Sequence, residues 1–335
     1  MSLHDTMDGL LETQVTWEDL EKQLMSALKT KASFGTEKTI IDIGDGNGCL
    51  SRVGLVSCDW KGAEKSENLP GRIVIKIPSS LPLRQMNVIK GGEEVWEAMD
   101  TKLRELHNVE VAAYEFLENF DSLKIPRMYF GVSFSQEDKL NGKMCLEYVE
   151  KSRVMNFHEA HTVEQLRQVA RALGKIQACS LKKETSASTE IRANMYPGFS
   201  KTLSLECAHF GVGVQDLLRI SLFALPAKER RESASMLVEE MYNSMVENLD
   251  GAEPPYSLEK LQSIYDILFP HTASYFAGGA IVVTNKLTTD AKLSMEEKET
   301  RKSVQLDKVL GSLDDILQYH VKNRELVKDL KFKDD

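Results

Sequence analysis

The sequence is poor in the patterns that mark a disulfide or metal scaffold. Its five cysteines, Cys49, Cys58, Cys145, Cys179 and Cys207, are scattered, odd in number and form no C-x-x-C pair. A disulfide framework or a zinc site is therefore not expected, and a reducing compartment is. A surplus of Lys and Arg is also missing. The formal net charge is −9, whereas neutralising phosphates needs the opposite balance, so no nucleic-acid partner is expected. The most apolar late run, Ala273 to Val283, is too short to span a bilayer and carries Gly278 and Gly279. Residues 1–14 are polar and acidic, without the apolar core of a signal peptide. These absences lead us to expect a soluble cytoplasmic protein with no membrane partner. There is no G-x-S-x-G and no cysteine with a basic neighbour in sequence, so nucleophilic Ser or Cys chemistry has no support.

What is present has ordinary globular composition, 42% apolar and 28% charged, which argues against disorder. A length of 335 residues suits two modest lobes or one large α/β unit. Thr16 and Asp19 stand at capping-box spacing, and Trp17, Leu20, Leu24 and Leu28 then recur on one face, so a helix starts here and is expected to end at Gly35. Residues 39–43, 49–58 and 73–77 read as strands, the first two joined by the glycine cluster Gly44-Asp45-Gly46-Asn47-Gly48 and the third stopped by Pro78. Residues 61–71 read as a loop. Residues 93–117 are helical in pattern, and 128–134 and 143–149 form a strand pair around a polar turn. Another helix opens at Thr162, with Gln165 completing a capping box. The period lapses over 181–208. It returns as helices over 214–225, 227–249, 257–269, a short apolar segment near Ala273, and 303–330. The charge-rich stretch 286–301 reads as a solvated loop or an exposed helix.

The order glycine hairpin, strand lysine, helix glutamate carries the chemistry. A glycine-rich hairpin lets backbone N–H groups approach triphosphate oxygens. Lys76, in Ile73-Val74-Ile75-Lys76, can neutralise phosphates, and Glu110 on the following helix can hold that lysine by an ion pair. Glu147 and Tyr148, at the end of the 143–149 strand, stand where a backbone hinge would pair with adenine. Each part also has a bland reading: a hairpin turn, a solvated edge lysine, surface glutamates. It is their order that points to a nucleotide site. The same glycines admit a second reading, an S-adenosylmethionine or dinucleotide fingerprint, which requires a helix directly after them; the strand-like residues 50–56 argue against it. His158-Glu159-Ala160-His161 spaces its histidines at i and i+3 ahead of the helix cap, so it reads as a loop rather than a zinc motif.

With these residues in place, the chain resembles the choline/ecdysteroid-kinase-like proteins, which are similar to aminoglycoside phosphotransferases. Within them the closer resemblance is to a nematode-expanded subfamily of unknown function. The resemblance rests on Asp8-Gly9-Leu10-Leu11, Val15 to Asp19, Ile43 to Gly48, Asn68-Leu69-Pro70, Ile73 to Ile77 and His107-Asn108-Val109-Glu110. It resumes at His209-Phe210-Gly211, Asp216 to Arg219 and Pro255 to Glu259. It implies an α+β, protein-kinase-like two-lobe architecture: an antiparallel-sheet N-lobe over 1–150, and a mostly helical, truncated C-lobe over 151–335 with an irregular segment at 181–208. It also implies ATP as the nucleotide, bound by Gly44 to Gly48, Lys76, Glu110, Glu147 and Tyr148, and a small hydroxylated molecule as phosphate acceptor. Some relatives carry an oxidoreductase label, but no hydride-transfer chemistry is read here.

The resemblance has a hole. The family's His-Gly-Asp-Leu-Trp motif with its following Asn, and its Asp-Trp-Gln or Asp-Tyr-Gln motif, supply the base and the magnesium ligands. None occurs here: no His is followed by Gly-Asp, and the last Trp is Trp96. The gap falls in the patternless segment, which reads as an internal deletion. The expectation is a catalytically inactive kinase-like protein without magnesium ligands. An alternative is an active kinase with displaced carboxylates such as Asp216 or Glu206.

Overall fold

The computed structural model describes residues 2–44, 50–85, 91–153, 155–182, 213–289 and 293–327. Asp45, Gly46, Asn47 and Gly48 lie outside the described residues, as do Cys49, Cys207, Glu206, His209 to Gly211 and nearly all of the 181–208 segment. The chain is α+β, and its described residues divide into two compact units, one of those up to Arg153 and one of those beyond it. Among the described residues no helix is long and apolar enough to cross a membrane.

In the first unit, α1 (Trp17–Leu28) opens with the expected capping box: Thr16 Oγ1 accepts from the Asp19 N–H, and the Thr16 N–H donates to the Asp19 carboxylate, both at 3.1 Å. It stops at Leu28, well before Gly35, because Lys29 turns left-handed with φ 53° and closes the last turn through its N–H. The short strand β1 (Ser33–Phe34) then pairs with β4 (Trp60–Lys61), which takes Lys61 out of the expected loop. The main sheet comprises β2 (Thr39–Asp42), β3 (Ser51–Ser57), β5 (Arg72–Pro78), β6 (Met128–Val132) and β7 (Lys143–Glu147). It is antiparallel throughout, in the order β2-β3-β5-β7-β6.

Period-two alternation gives this sheet two different faces. Ile73, Ile75, Ile77 and Cys145 are buried with Val56 in a cluster that includes Leu20 and Leu24 of α1. Burying each such aliphatic side chain is worth about 1.5–3 kcal/mol. Lys76 therefore points to the other face, opposite Met144 of β7 in the ladder. There Met144 and Met128 pack against Val111 of α3 (Glu93–Leu117). A short helix, α2 (Leu81–Gln85), follows β5.

The second unit is built from helices α4 (Val163–Lys182), α5 (Val214–Ala224), α6 (Ala227–Glu247), α7 (Leu258–Thr289) and α8 (Met295–Val327). The Thr162–Gln165 capping box forms at the start of α4. Gly174 lets α4 lie directly on α6: a Cβ there would sit 2.3 Å from the Met241 carbonyl oxygen. Two sequence expectations need correcting. The helix expected to end at Phe269 runs on through Pro270 into the segment near Ala273. The apolar series Leu261, Tyr265, Phe269, Ala273, Phe276 and Ala280 continues unbroken into the core on either side of the proline. That burial outweighs the lost backbone bond, which costs about 3 kcal/mol. The last helix starts at Met295 rather than Ser303, because Ser294 and Glu297 form a capping box of their own. The charge-rich stretch is thus helical at both of its described ends.

The inner face of α8 mixes apolar residues packed on the core, Val309, Ile316 and Tyr319, with buried polar ones. Most of the polar ones are hydrogen-bonded, although Gln305 Oε1 and Asn323 Oδ1 have no partner among the described residues. Lys308 is fully buried, and its ammonium donates to the carbonyls of Phe157 (2.8 Å), Glu159 (2.6 Å) and Phe223 (2.8 Å). Phe223 lies in the last turn of α5, where carbonyls have no helical partner. Burial lowers the Lys308 ammonium to about 8, so it remains charged at neutral pH. Asp315 receives Arg230 at 2.7 Å and Arg231 at 2.6 Å, and Asn323 donates to the Asp266 carbonyl at 2.7 Å.

Candidate functional site

The site is built on the Lys76 face of the sheet. Lys76 Nζ lies 2.7 Å and 2.8 Å from the two carboxylate oxygens of Glu110. Both side chains are mostly but not wholly covered, 17% and 22% exposed. The pair is thus neither a rim contact nor sealed in the core, and its two-oxygen geometry orients the ammonium. Tyr114, one turn along α3, is half-buried beside it; burial raises its hydroxyl, and the Glu110 charge adds to the effect.

What holds Glu110 in place is the polar pair just before it. His107 is buried, and its Nε2–H donates to the Val132 carbonyl at 2.9 Å. Burial lowers the imidazole below its ordinary range, so it works as a neutral donor. Asn108 copies a strand neighbour: its amide donates to the Phe134 carbonyl at 3.0 Å, and its oxygen accepts from the Phe134 N–H at 2.8 Å. With Val109 buried, the whole His107-Asn108-Val109-Glu110 segment is accounted for. Two residues pin α3 to the end of β6, one packs, and one reaches Lys76. Sequence reasoning singled out only Glu110. The signal for the others was there: two polar residues with planar donors and acceptors immediately ahead of the glutamate on one helix. Glu110 and His107 also border a small cleft with Ser51, Pro78 and Leu103.

The other expected site residues are distributed as follows. Gly44 follows β2; its N–H donates to Asp42 Oδ1 at 2.8 Å, while Ile43 extends the ladder to the Val53 carbonyl. Of the glycine cluster, only Gly44 is among the described residues. The segment after the cluster, 51–57, is strand β3, so it does not offer a helix N-terminus to a dinucleotide or to S-adenosylmethionine. Glu147 pairs with Ile73, three residues from Lys76 along β5, or about 10 Å at strand rise. Its N–H donates to the Arg127 carbonyl at 2.7 Å, and its carboxylate accepts from the Arg127 N–H at 3.2 Å. Tyr148 lies under the Arg72 guanidinium, 4.5 Å from ring centre to Cζ. Lys76 and Glu110 are therefore brought together, while Glu147 and Tyr148 sit apart from them at the strand end.

In the second unit, Asp216 is half-exposed on the first turn of α5, 3.5 Å from Arg219. His158 and Glu159 lie in a turn, and the His161 N–H donates to the Ala224 carbonyl. No cluster of His, Cys, Asp and Glu suited to a metal ion occurs among the described residues.

A mixed α+β chain, with an antiparallel sheet presenting a lysine–glutamate pair and a separate helical unit, is the class these features define. The family described as Uncharacterized oxidoreductase dhs-27 (DUF1679) matches it over residues 3–206 and 199–324, and the chain belongs to that family. No curated protein matches it.

Proposed function

We propose that the first unit is the nucleotide-binding lobe of a kinase-like protein, that its ligand is ATP, and that the chain does not transfer phosphate. The second unit is then the helical lobe of a two-lobe, protein-kinase-like arrangement. The observation that carries the reading is the two-oxygen Lys76–Glu110 pair, on the strand beside the β2–β3 hairpin. A cation held this way accepts the charge of a polyphosphate without the cost of being fixed at the moment of binding. The residues present suit the phosphates. At the strand end, Glu147 has its N–H engaged by Arg127, so pairing with adenine falls to the backbone of Tyr148 and beyond.

Inactivity follows from residue types. Phosphoryl transfer depends on carboxylates that hold magnesium and orient the acceptor, and the sequence carries no His-Gly-Asp and no Trp beyond Trp96. The two stretches matched by the family meet at residues 199–206, inside the patternless segment, which favours a deletion there. Asp216, engaged with Arg219 in its own helix, serves as a structural residue. The word oxidoreductase in the family's description finds no dinucleotide-type strand–glycine–helix unit at residues 39–57 to rest on. The thiols of Cys58 and Cys145 are not joined in a disulfide, which fits a cytoplasmic setting.

The test is a thermal-shift titration of the full chain with ATP, with and without magnesium, on the wild type and on Lys76→Ala. A ligand at a hundredfold its Kd stabilises by about 2.7 kcal/mol. The expected result is a shift in the wild type that Lys76→Ala removes. No shift in any condition would sink nucleotide binding. Magnesium-dependent turnover of a hydroxylated substrate that requires Lys76 would sink inactivity.

A further inference from the structure

Helix α8 is apolar on two sides: Val309, Ile316 and Tyr319 pack on the core, and a second apolar set faces away from it. Its inward face carries Gln305, Lys308, Ser312, Asp315 and Asn323, all buried. Its outward face carries Leu306, Leu310, Leu313, Leu317 and Val321, exposed by 40%, 55%, 43%, 69% and 67%. The spacing of four, three, four and four residues makes these one stripe, about 22 Å long at helical rise. The helix cannot roll to bury them. Its rotation is fixed by the three carbonyls on Lys308, the two arginines on Asp315 and the bond from Asn323 to Asp266. A contiguous apolar stripe held outward in this way marks an association surface.

We propose that this face pairs with the same face of a second copy, the two α8 helices running antiparallel across a two-fold axis. The charges at the ends of the stripe select both partner and direction. Continued toward the N-terminus, the stripe passes Lys302, which falls opposite the partner's Val321 in the pairing below, and reaches the exposed Glu299, 3.7 Å from Lys302 on the same helix; continued the other way, it reaches the exposed Arg324. Setting Leu310 against the partner's Leu313, and Leu306 against the partner's Leu317, brings Glu299 to the partner's Arg324 at both ends. A parallel pair would instead place Glu299 on Glu299 and Arg324 on Arg324 within the seam, where like charges are costly. The antiparallel arrangement is self-complementary, as a two-fold interface requires. On one edge it brings Asp307 near the partner's Asp314. Asp307 already accepts from the Ala227 N–H, and this edge is open to solvent and screened by salt.

The test is sedimentation equilibrium of the full chain over a concentration series, with circular dichroism to verify that each variant stays folded. The wild type is expected to dimerise reversibly. Leu310→Lys combined with Leu317→Lys is expected to raise the dimer Kd by about 100-fold or more. Glu299→Arg alone and Arg324→Glu alone should each weaken the dimer roughly tenfold, and the two together should restore it. Asp314→Lys should tighten it. A wild type that is monomeric at every concentration would overturn the proposal, as would a dimer indifferent to the leucine variants. A dimer sensitive to the leucines but not to the charge variants would overturn the antiparallel pairing.

Discussion

Two lysines, one in each unit, show how differently a fold can hold the same side chain. Lys76 is held by a carboxylate, is 17% exposed and can exchange that partner for another anion. Lys308 is sealed in, held by three backbone carbonyls and flanked by the rings of Phe157 and Phe223 at 5.3 Å and 5.9 Å. A carboxylate gives a lysine direction and leaves it available. Carbonyl oxygens from separate segments turn it into a clamp, because releasing it strands three acceptors at once. The first arrangement suits a ligand site, and the second suits architecture.

The comparison is broken most sharply by removing the clamp. Lys308→Met keeps the stem but leaves the three carbonyls without a donor, so a loss of at least about 3 kcal/mol is expected in urea unfolding. Next in size is the α4–α6 contact: Gly174→Val puts side-chain atoms into the Met241 backbone and should cost about 1–3 kcal/mol in the same measurement. Lys76→Met should change stability by less than about 1 kcal/mol, as expected for a partly exposed pair, while removing the response to ATP. If Lys76→Met proved as destabilising as Lys308→Met, the distinction between site and clamp would fail. The smallest effect is expected at Glu240, which hydrogen bonds from Arg171 and Arg167 hold down to about 2, against an ordinary 4.5. A depressed folded-state value means that its contribution is complete above the unfolded value and disappears as pH falls from about 4.5 toward about 2. Acid unfolding of Glu240→Gln should accordingly lack that part of the pH dependence.

The first unit was the more legible of the two. Alternation placed Ile73, Ile75 and Ile77 on one face and Lys76 on the other, and the capping pairs Thr16–Asp19 and Thr162–Gln165 formed as read. These signals are local, with both partners within a few residues of each other. What stayed hidden depended on distant partners. Pro270 reads as a stop until the core on both sides of it is known. Gly35 looked like the end of α1, although the chain turned earlier at Lys29. Which face of α8 is buried was not legible either, because nothing near Lys308 in sequence shows that it has three carbonyls waiting elsewhere. His107 and Asn108 stood out only as part of a family-like stretch, and their role was not legible for the same reason: their partners lie on the end of β6 and just beyond it.

The Lys308 clamp also sets an order of events during synthesis. Its bonds to Phe157 and Glu159 join residues 151 and 149 apart in the chain, so the turn at 157–159 and the end of α5 stay unfinished until α8 has been made. Among the described residues of the first unit the longest side-chain link, from the Leu3 N–H to Asp100, spans 97 residues and closes before α4 is translated. A nascent chain would therefore carry a paired sheet ahead of helices that remain open to chaperones and proteases. Premature termination anywhere before Lys308 would leave the second unit unable to close.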